Sequence, residues 1–188
     1  MAGRKEEIIK VATVLFSKNG YDNTSIRELA KACELSVAGL YYFFQNKEDI
    51  LFNILNSSLD RLMQYVSSAI NKNDSPQTNI KRIIDHGVQC VMESKMEIGL
   101  LLKESPRLNP EQQVIIKNNE REVIHLIRNE ISRLNDEGSL KNFNLTFLAF
   151  SIWSIISFSH NWFNPEGQLS TKGFVTETTE LFFNGVLK

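Results

Sequence analysis

Cysteine is almost missing from this chain of 188 residues. Cys33 and Cys90 are too few for a disulfide framework. A chain of this length should bury roughly 70% of its unfolded surface, so it needs no covalent staple. Histidine is nearly as scarce, with only His86, His125 and His160. No zinc spacing, phosphate loop or Ser/His/Asp arrangement is present. Glu122 and His125 form one Glu-x-x-His step, whereas a carboxylate-bridged di-iron bundle needs two such steps and two further glutamates. Neither an enzyme activity nor a cofactor or metal is therefore expected. The first dozen residues carry Arg4, Lys5, Glu6 and Glu7 where a cleaved leader would be apolar. Together with the low cysteine content this points to a reducing cytoplasm. The net charge of −1 excludes a wholly basic nucleic-acid binder but leaves room for a small basic face. The longest apolar run, residues 145–158, is shorter than the roughly 20 residues of a membrane span and is flanked by Asn144 and His160. It reads as a helix buried on most sides, within the chain or in a dimer.

Alternating strand patterns are also lacking, and what remains is helical punctuation. Ile8, Ile9, Ala12, Leu15 and Phe16 make a helical stripe that Gly20 should stop. Thr24 reads as the cap of a short helix bearing Ile26, Leu29, Ala30 and Cys33. A turn at Glu34-Leu35-Ser36 leads to a second short helix with Leu40, Tyr41 and Phe44. Asn46 caps a long helix whose first turn holds Lys47, Glu48 and Asp49. Pro76 and Pro110 suit the first position of later helices. Asn144 precedes the apolar run, and Ser170 or Thr171 opens the last helix. About nine helices and no strands predict an all-α protein.

Two short helices joined by a three-residue turn, with a third beneath them, form a helix-turn-helix reading head. Ala12, Leu15-Phe16, Gly20-Tyr21, Thr24-Ser25, Leu29-Ala30, Leu40-Tyr41, Phe44 and Lys47-Glu48 fall in register over positions 4–51. This run resembles the tetracycline-repressor (TetR) family of bacterial transcription regulators. The resemblance implies a DNA-binding head over residues 1–46 and a ligand-binding and dimerisation domain over 47–188. Two positions depart from the family pattern. Glu34 stands where glycine is usual, and Ala38-Gly39 stand where Gly and Thr are frequent. Glu34 must then adopt a backbone conformation glycine takes more cheaply, by roughly 1 kcal/mol.

DNA recognition needs donors for phosphate oxygens and a helix slim enough for the major groove. Thr24 and Ser25 open the first short helix, and Ser36 opens the second. Tyr41 and Tyr42 carry phenol donors, and Lys47 starts the next helix aimed at the same backbone. Four consecutive aromatics, Tyr41 to Phe44, cannot all face inward; Leu40 and Phe44 are expected in the core. By resemblance Val37, Ala38 and Gly39 face the bases, with Arg27 reaching from the preceding helix. Arg27 has the fork for guanine, but it equally fits a solvated surface charge. Over residues 1–50 seven basic side chains balance seven acidic ones, so non-specific attraction to DNA should be modest.

The later helices are rich in Phe and Trp, and an all-round apolar helix needs a second partner surface, which a two-fold dimer supplies. Trp153 to Ser170 also resembles the subgroup controlling fatty-acid or sterol breakdown, whose effectors are acyl-CoA thioesters. Met96, Leu100, Leu101, Phe147, Phe150 and Trp153 are candidates for an apolar pocket, though their spacing fits ordinary core as well. The expected protein is a homodimeric, ligand-responsive regulator, a repressor released from double-stranded operator DNA by a small hydrophobic effector, with no membrane partner. The alternative is a helical lipid-binding or di-iron bundle protein without DNA binding.

Overall fold

A computed structural model describes residues 2–188, apart from the side chain of Ala2. Its described residues form nine α-helices: α1 (Ala2–Asn19), α2 (Ile26–Ala32), α3 (Val37–Tyr41), α4 (Lys47–Ser68), α5 (Pro76–Glu93), α6 (Lys95–Glu104), α7 (Pro110–Asp136), α8 (Leu145–Trp162) and α9 (Thr171–Val186). A 3₁₀ turn at Ser105–Arg107 separates α6 from α7. The all-α expectation holds; among the described residues extended pairing is limited to one isolated antiparallel bridge, Leu140 with Leu187.

The helix ends follow from the side chains that satisfy their orphan amides. Asn46 Oδ1 accepts from the Asp49 N–H at 2.7 Å, and Ser75 caps α5 with Pro76 in its first turn. Asn109 accepts from Gln112, Asn144 from Phe147, and Ser170 rather than Thr171 from Gly173. Gly20 at φ 86° and Gly138 at φ 70° end α1 and α7 in the left-handed region. Thr24, by contrast, is not a cap. Ser25 caps α2, and Thr24 is fully buried with its hydroxyl donating to the Gly20 carbonyl at 2.9 Å.

The chain divides into two compact units. The first runs through Leu59 and adds Lys95–Lys117; the second is Asp60–Ser94 with Asn118–Lys188. The grouping thus differs from a cut at residue 46, because α6 packs on α1 and stays with the head. In the first unit Ile8, Ala12 and Phe16 of α1 are buried, as are Leu29, Leu40, Phe44, Ile50, Ile54 and Ile98. In the second, α5 packs on α8 and α9. Gly87 lets α5 and α8 approach closely: a Cβ there would lie 2.9 Å from Ile156 Cδ1. Both cysteines are buried, and neither forms a disulfide. Among the described residues no helix is long and apolar enough to cross a membrane.

Candidate nucleic-acid interface

The head is built outward from α2. Ser25 Oγ accepts from the Glu28 N–H at 3.2 Å, and the Ser25 N–H donates to the Glu28 carboxylate at 2.7 Å, a reciprocal capping box. These contacts hold the Glu28 carboxyl below its ordinary range. At the other end the Glu34 N–H donates to Lys31 O at 3.1 Å and the Leu35 N–H to Ala30 O at 2.8 Å. That pattern is a Schellman closure, which places residue 34 in the left-handed region. Glu34 sits there at φ 56°, the only non-glycine with positive φ among the described residues. The Arg4 guanidinium donates to the Cys33 carbonyl, fixing the start of α1 against this turn.

Ser36 then caps α3, its Oγ accepting from the Gly39 N–H at 3.0 Å. The short α3 turns Leu40 inward and leaves Ala38, Tyr41 and Tyr42 exposed, Tyr42 at 70%. Val37 and Gly39 are half-buried at its edge. Phe44 is buried, and the Tyr42 and Phe43 rings meet edge-to-face. Arg27 is exposed and forms no hydrogen bond or ion pair among the described residues, so its fork is free to donate. Of the residues expected to contact DNA, Ser25, Arg27, Ser36, Ala38, Tyr41 and Tyr42 are exposed, and Val37 and Gly39 are half-buried. Thr24 leaves that set, because its hydroxyl is turned inward.

Lys47 stands at the start of α4, where its Nζ lies 4.2 Å from the Tyr21 ring centroid and donates to the Asp22 carbonyl at 3.5 Å. Desolvation pulls its pKa below the ordinary lysine value. The same burial, with Glu48 and Asp22 nearby, pushes the Tyr21 phenol up. Beside it lies an ion-pair network that sequence reasoning missed. Arg107 Nη1 and Nη2 donate to the two Asp22 carboxylate oxygens at 2.8 and 2.7 Å, and its Nε donates to buried Glu104 at 2.6 Å. The Asn109 N–H donates to Glu48 at 3.0 Å. The segment between α6 and α7 is thus tied to both the α1–α2 turn and the start of α4. Lys5, also overlooked, lies 5.1 Å from the Phe44 ring beside α3.

The residues expected to line an apolar pocket divide between the two units. Leu100 and Leu101 are buried in the first, whereas Met96 is exposed. Trp153 is half-buried in the second. Phe147, 63% exposed, and Phe150 face solvent, and neither lines an interior. They continue through Phe158 to Trp162, 65% exposed, as an uncovered stripe along α8, and Leu181 on α9 is 75% exposed. Glu122 and His125 are both exposed on α7. Among the described residues no group of three or more His, Cys, Asp and Glu could hold a metal ion.

Two family models match the chain: bacterial regulatory proteins of the tetR family over residues 8–54, and a tetracyclin repressor-like C-terminal domain over residues 73–186. The chain is 33% identical over 104 residues to the HTH-type transcriptional regulator YuxN of Bacillus subtilis (strain 168), covering 55% of this chain but only 36% of that relative. It is 24% identical over 178 residues to IcaR of Staphylococcus aureus (strain Newman), the HTH-type negative transcriptional regulator of the biofilm operon icaADBC, covering 95% of this chain and 92% of that one. Among solved structures, AibR in complex with isovaleryl coenzyme A and operator DNA superposes with a TM-score of 0.87 at 27% identity, over 96% of this chain and 98% of that one.

Proposed function

Because the chain belongs to the tetR family of bacterial regulatory proteins, we propose that it works as a homodimeric repressor released from operator DNA by a hydrophobic effector. Residues 1–46 read the operator, and residues 47–188 sense the effector and dimerise. The observation that carries this reading is the composition of the open face of α3. Ala38 and Gly39 keep it slim, Tyr41 and Tyr42 supply donors, and Arg27 adds an unengaged fork. Arg27 reads a guanine, the phenols and the Ser25 and Ser36 hydroxyls fix the register on phosphates, and Val37 and Ala38 pack on thymine methyls.

Two half-sites need two heads. The uncovered stripe of Phe147, Phe150, Phe158 and Trp162, with Leu181, supplies the surface for a second copy. Each of these aromatics keeps about half or more of its roughly 150–250 Å² exposed, and that area is what pairing two copies of the stripe would cover. The Arg107–Asp22–Glu104 network gives the α6–α7 segment a rigid grip on the head. An effector that shifts this segment therefore acts on the α1–α2 turn and the start of α4 through charged hydrogen bonds, provided it binds the two states unequally.

An acyl-CoA thioester is the effector class favoured here, on the resemblance of residues 153–170 and on the ligand of AibR. Buried Leu100 and Leu101 of the first unit remain the candidates for its acyl chain. The test is a gel shift on DNA upstream of the protein's own gene, followed by titration with short- and long-chain acyl-CoA. Saturable binding that the thioester reverses supports the full reading. Binding that a different small molecule reverses retains the repressor and discards the thioester. Binding no tighter than to random DNA overturns the proposal.

A further inference from the structure

A groove of about 320 Å³ runs between α5 and α9, on a different side of α9 from Leu181. Its walls carry Lys81 and Arg82 from α5 and Lys172 from the first turn of α9. Helical spacing puts Lys172, Val175, Thr176 and Thr179 on one face of α9, with Leu181 turned well away from them. Covering the apolar stripe with a second copy thus leaves this groove open.

The three cations differ in how firmly they are held. Arg82 is fixed: its Nη2 donates at 2.6 Å to both Asp74 and Asn79, while its Nε is buried without an acceptor. Lys81 leans across toward α9, its Nζ 5.8 Å from the Phe183 ring centroid. Lys172 is exposed and makes no ion pair or hydrogen bond through its ammonium among the described residues. It also sits at the positive end of the α9 dipole. Asp85 and Glu180 line the same groove and supply acceptors next to the donors. Thr176 and Thr179 spend their hydroxyl protons on the carbonyls of Lys172 and Val175, leaving oxygen lone pairs toward a ligand donor.

We propose that the α5–α9 groove binds a small phosphorylated ligand bearing its own hydroxyl or amine donors, of the size of a nucleoside phosphate. Lys81, Lys172 and the fixed Arg82 hold the phosphate, while Asp85 and Glu180 accept from the sugar or base. The mixed charge is the basis for this choice. Bare phosphate meets repulsion from the two carboxylates, whereas a ligand with donors beside its phosphate matches both signs. The groove volume lies at the lower end for small-molecule sites and agrees with a ligand of this size.

The experiment uses the full chain without DNA, so it is independent of operator recognition. ADP and inorganic phosphate are titrated by calorimetry and by amide shift mapping. ADP is expected to bind at least tenfold more tightly than phosphate, with shifts confined to α5 and α9. The Lys81→Ala/Lys172→Ala double variant changes two exposed side chains and should keep its melting temperature while losing ADP affinity about tenfold. Lys81→Arg/Lys172→Arg should retain it. Asp85→Asn/Glu180→Gln should narrow the preference for ADP over phosphate, by removing both the acceptors and the repulsion. Equal ADP affinity in the wild type and the double alanine variant, or shifts spread over the surface and matched by chloride, would overturn the assignment.

Discussion

Two clusters of exposed aromatics stand on this molecule, and their difference separates two kinds of partner. At the end of α3, Tyr41 and Tyr42 carry phenols, Ser36 caps the helix start, and Lys5 lies near Phe44. On α8, Phe147, Phe150 and Phe158 carry no polar atom, and Trp162 carries one indole N–H. The first face offers donors on a slim helix, which suits phosphates and base edges. The second offers hydrocarbon apart from that single N–H, which suits another apolar surface. Exposure by itself does not name a partner; the presence of donors does.

The largest effect should come from charging the hydrocarbon face. Phe158→Glu is expected to turn a dimer into a monomer in sedimentation velocity and to lower operator affinity by two orders of magnitude or more. A dimer that persists unchanged would move the interface elsewhere. On the polar face, Arg27→Ala should cost roughly 1–3 kcal/mol at one base position and little on random DNA. Equal losses on both DNAs would make Arg27 a phosphate contact. Tyr42→Phe should lower affinity for all sequences about equally, by about 1 kcal/mol for one lost hydrogen bond.

Lys47 sharpens the comparison because the structure places it in neither cluster. If it leaves Tyr21 to meet a phosphate, Lys47→Ala reduces the salt dependence of binding by about one unit of slope. If it stays on Tyr21, the slope is unchanged and only the melting temperature falls. The smallest effect expected is a gain. Glu34→Gly relieves the left-handed strain at φ 56° and should stabilise the protein by about 1 kcal/mol in chemical denaturation, without altering DNA affinity.

The helices were legible because their ends are marked by side chains that can cap and their middles by periodicity. The strain at Glu34 was legible only through the resemblance, in which glycine is usual at that position; the Schellman closure of α2 supplies its physical cause. Thr24 was misread because two adjacent hydroxyl residues are equally able to cap. One residue of register decides which hydroxyl meets solvent and which turns back to Gly20. Phe147 and Phe150 were assigned to a pocket because α8 is apolar on every side, so its periodicity does not tell core from uncovered surface. Arg107 and Asp22 lie 85 residues apart, and an ion pair over that separation leaves no local pattern.

As a DNA reader, the open face of α3 must be presented in pairs. Fluorescence anisotropy of a labelled fragment from upstream of the protein's own gene measures this directly. The predicted result is saturation at two protomers per site, with half-sites one helical turn or a multiple apart and affinity well above that for scrambled sequence. Saturation at one protomer, or equal affinity for scrambled DNA, would contradict it.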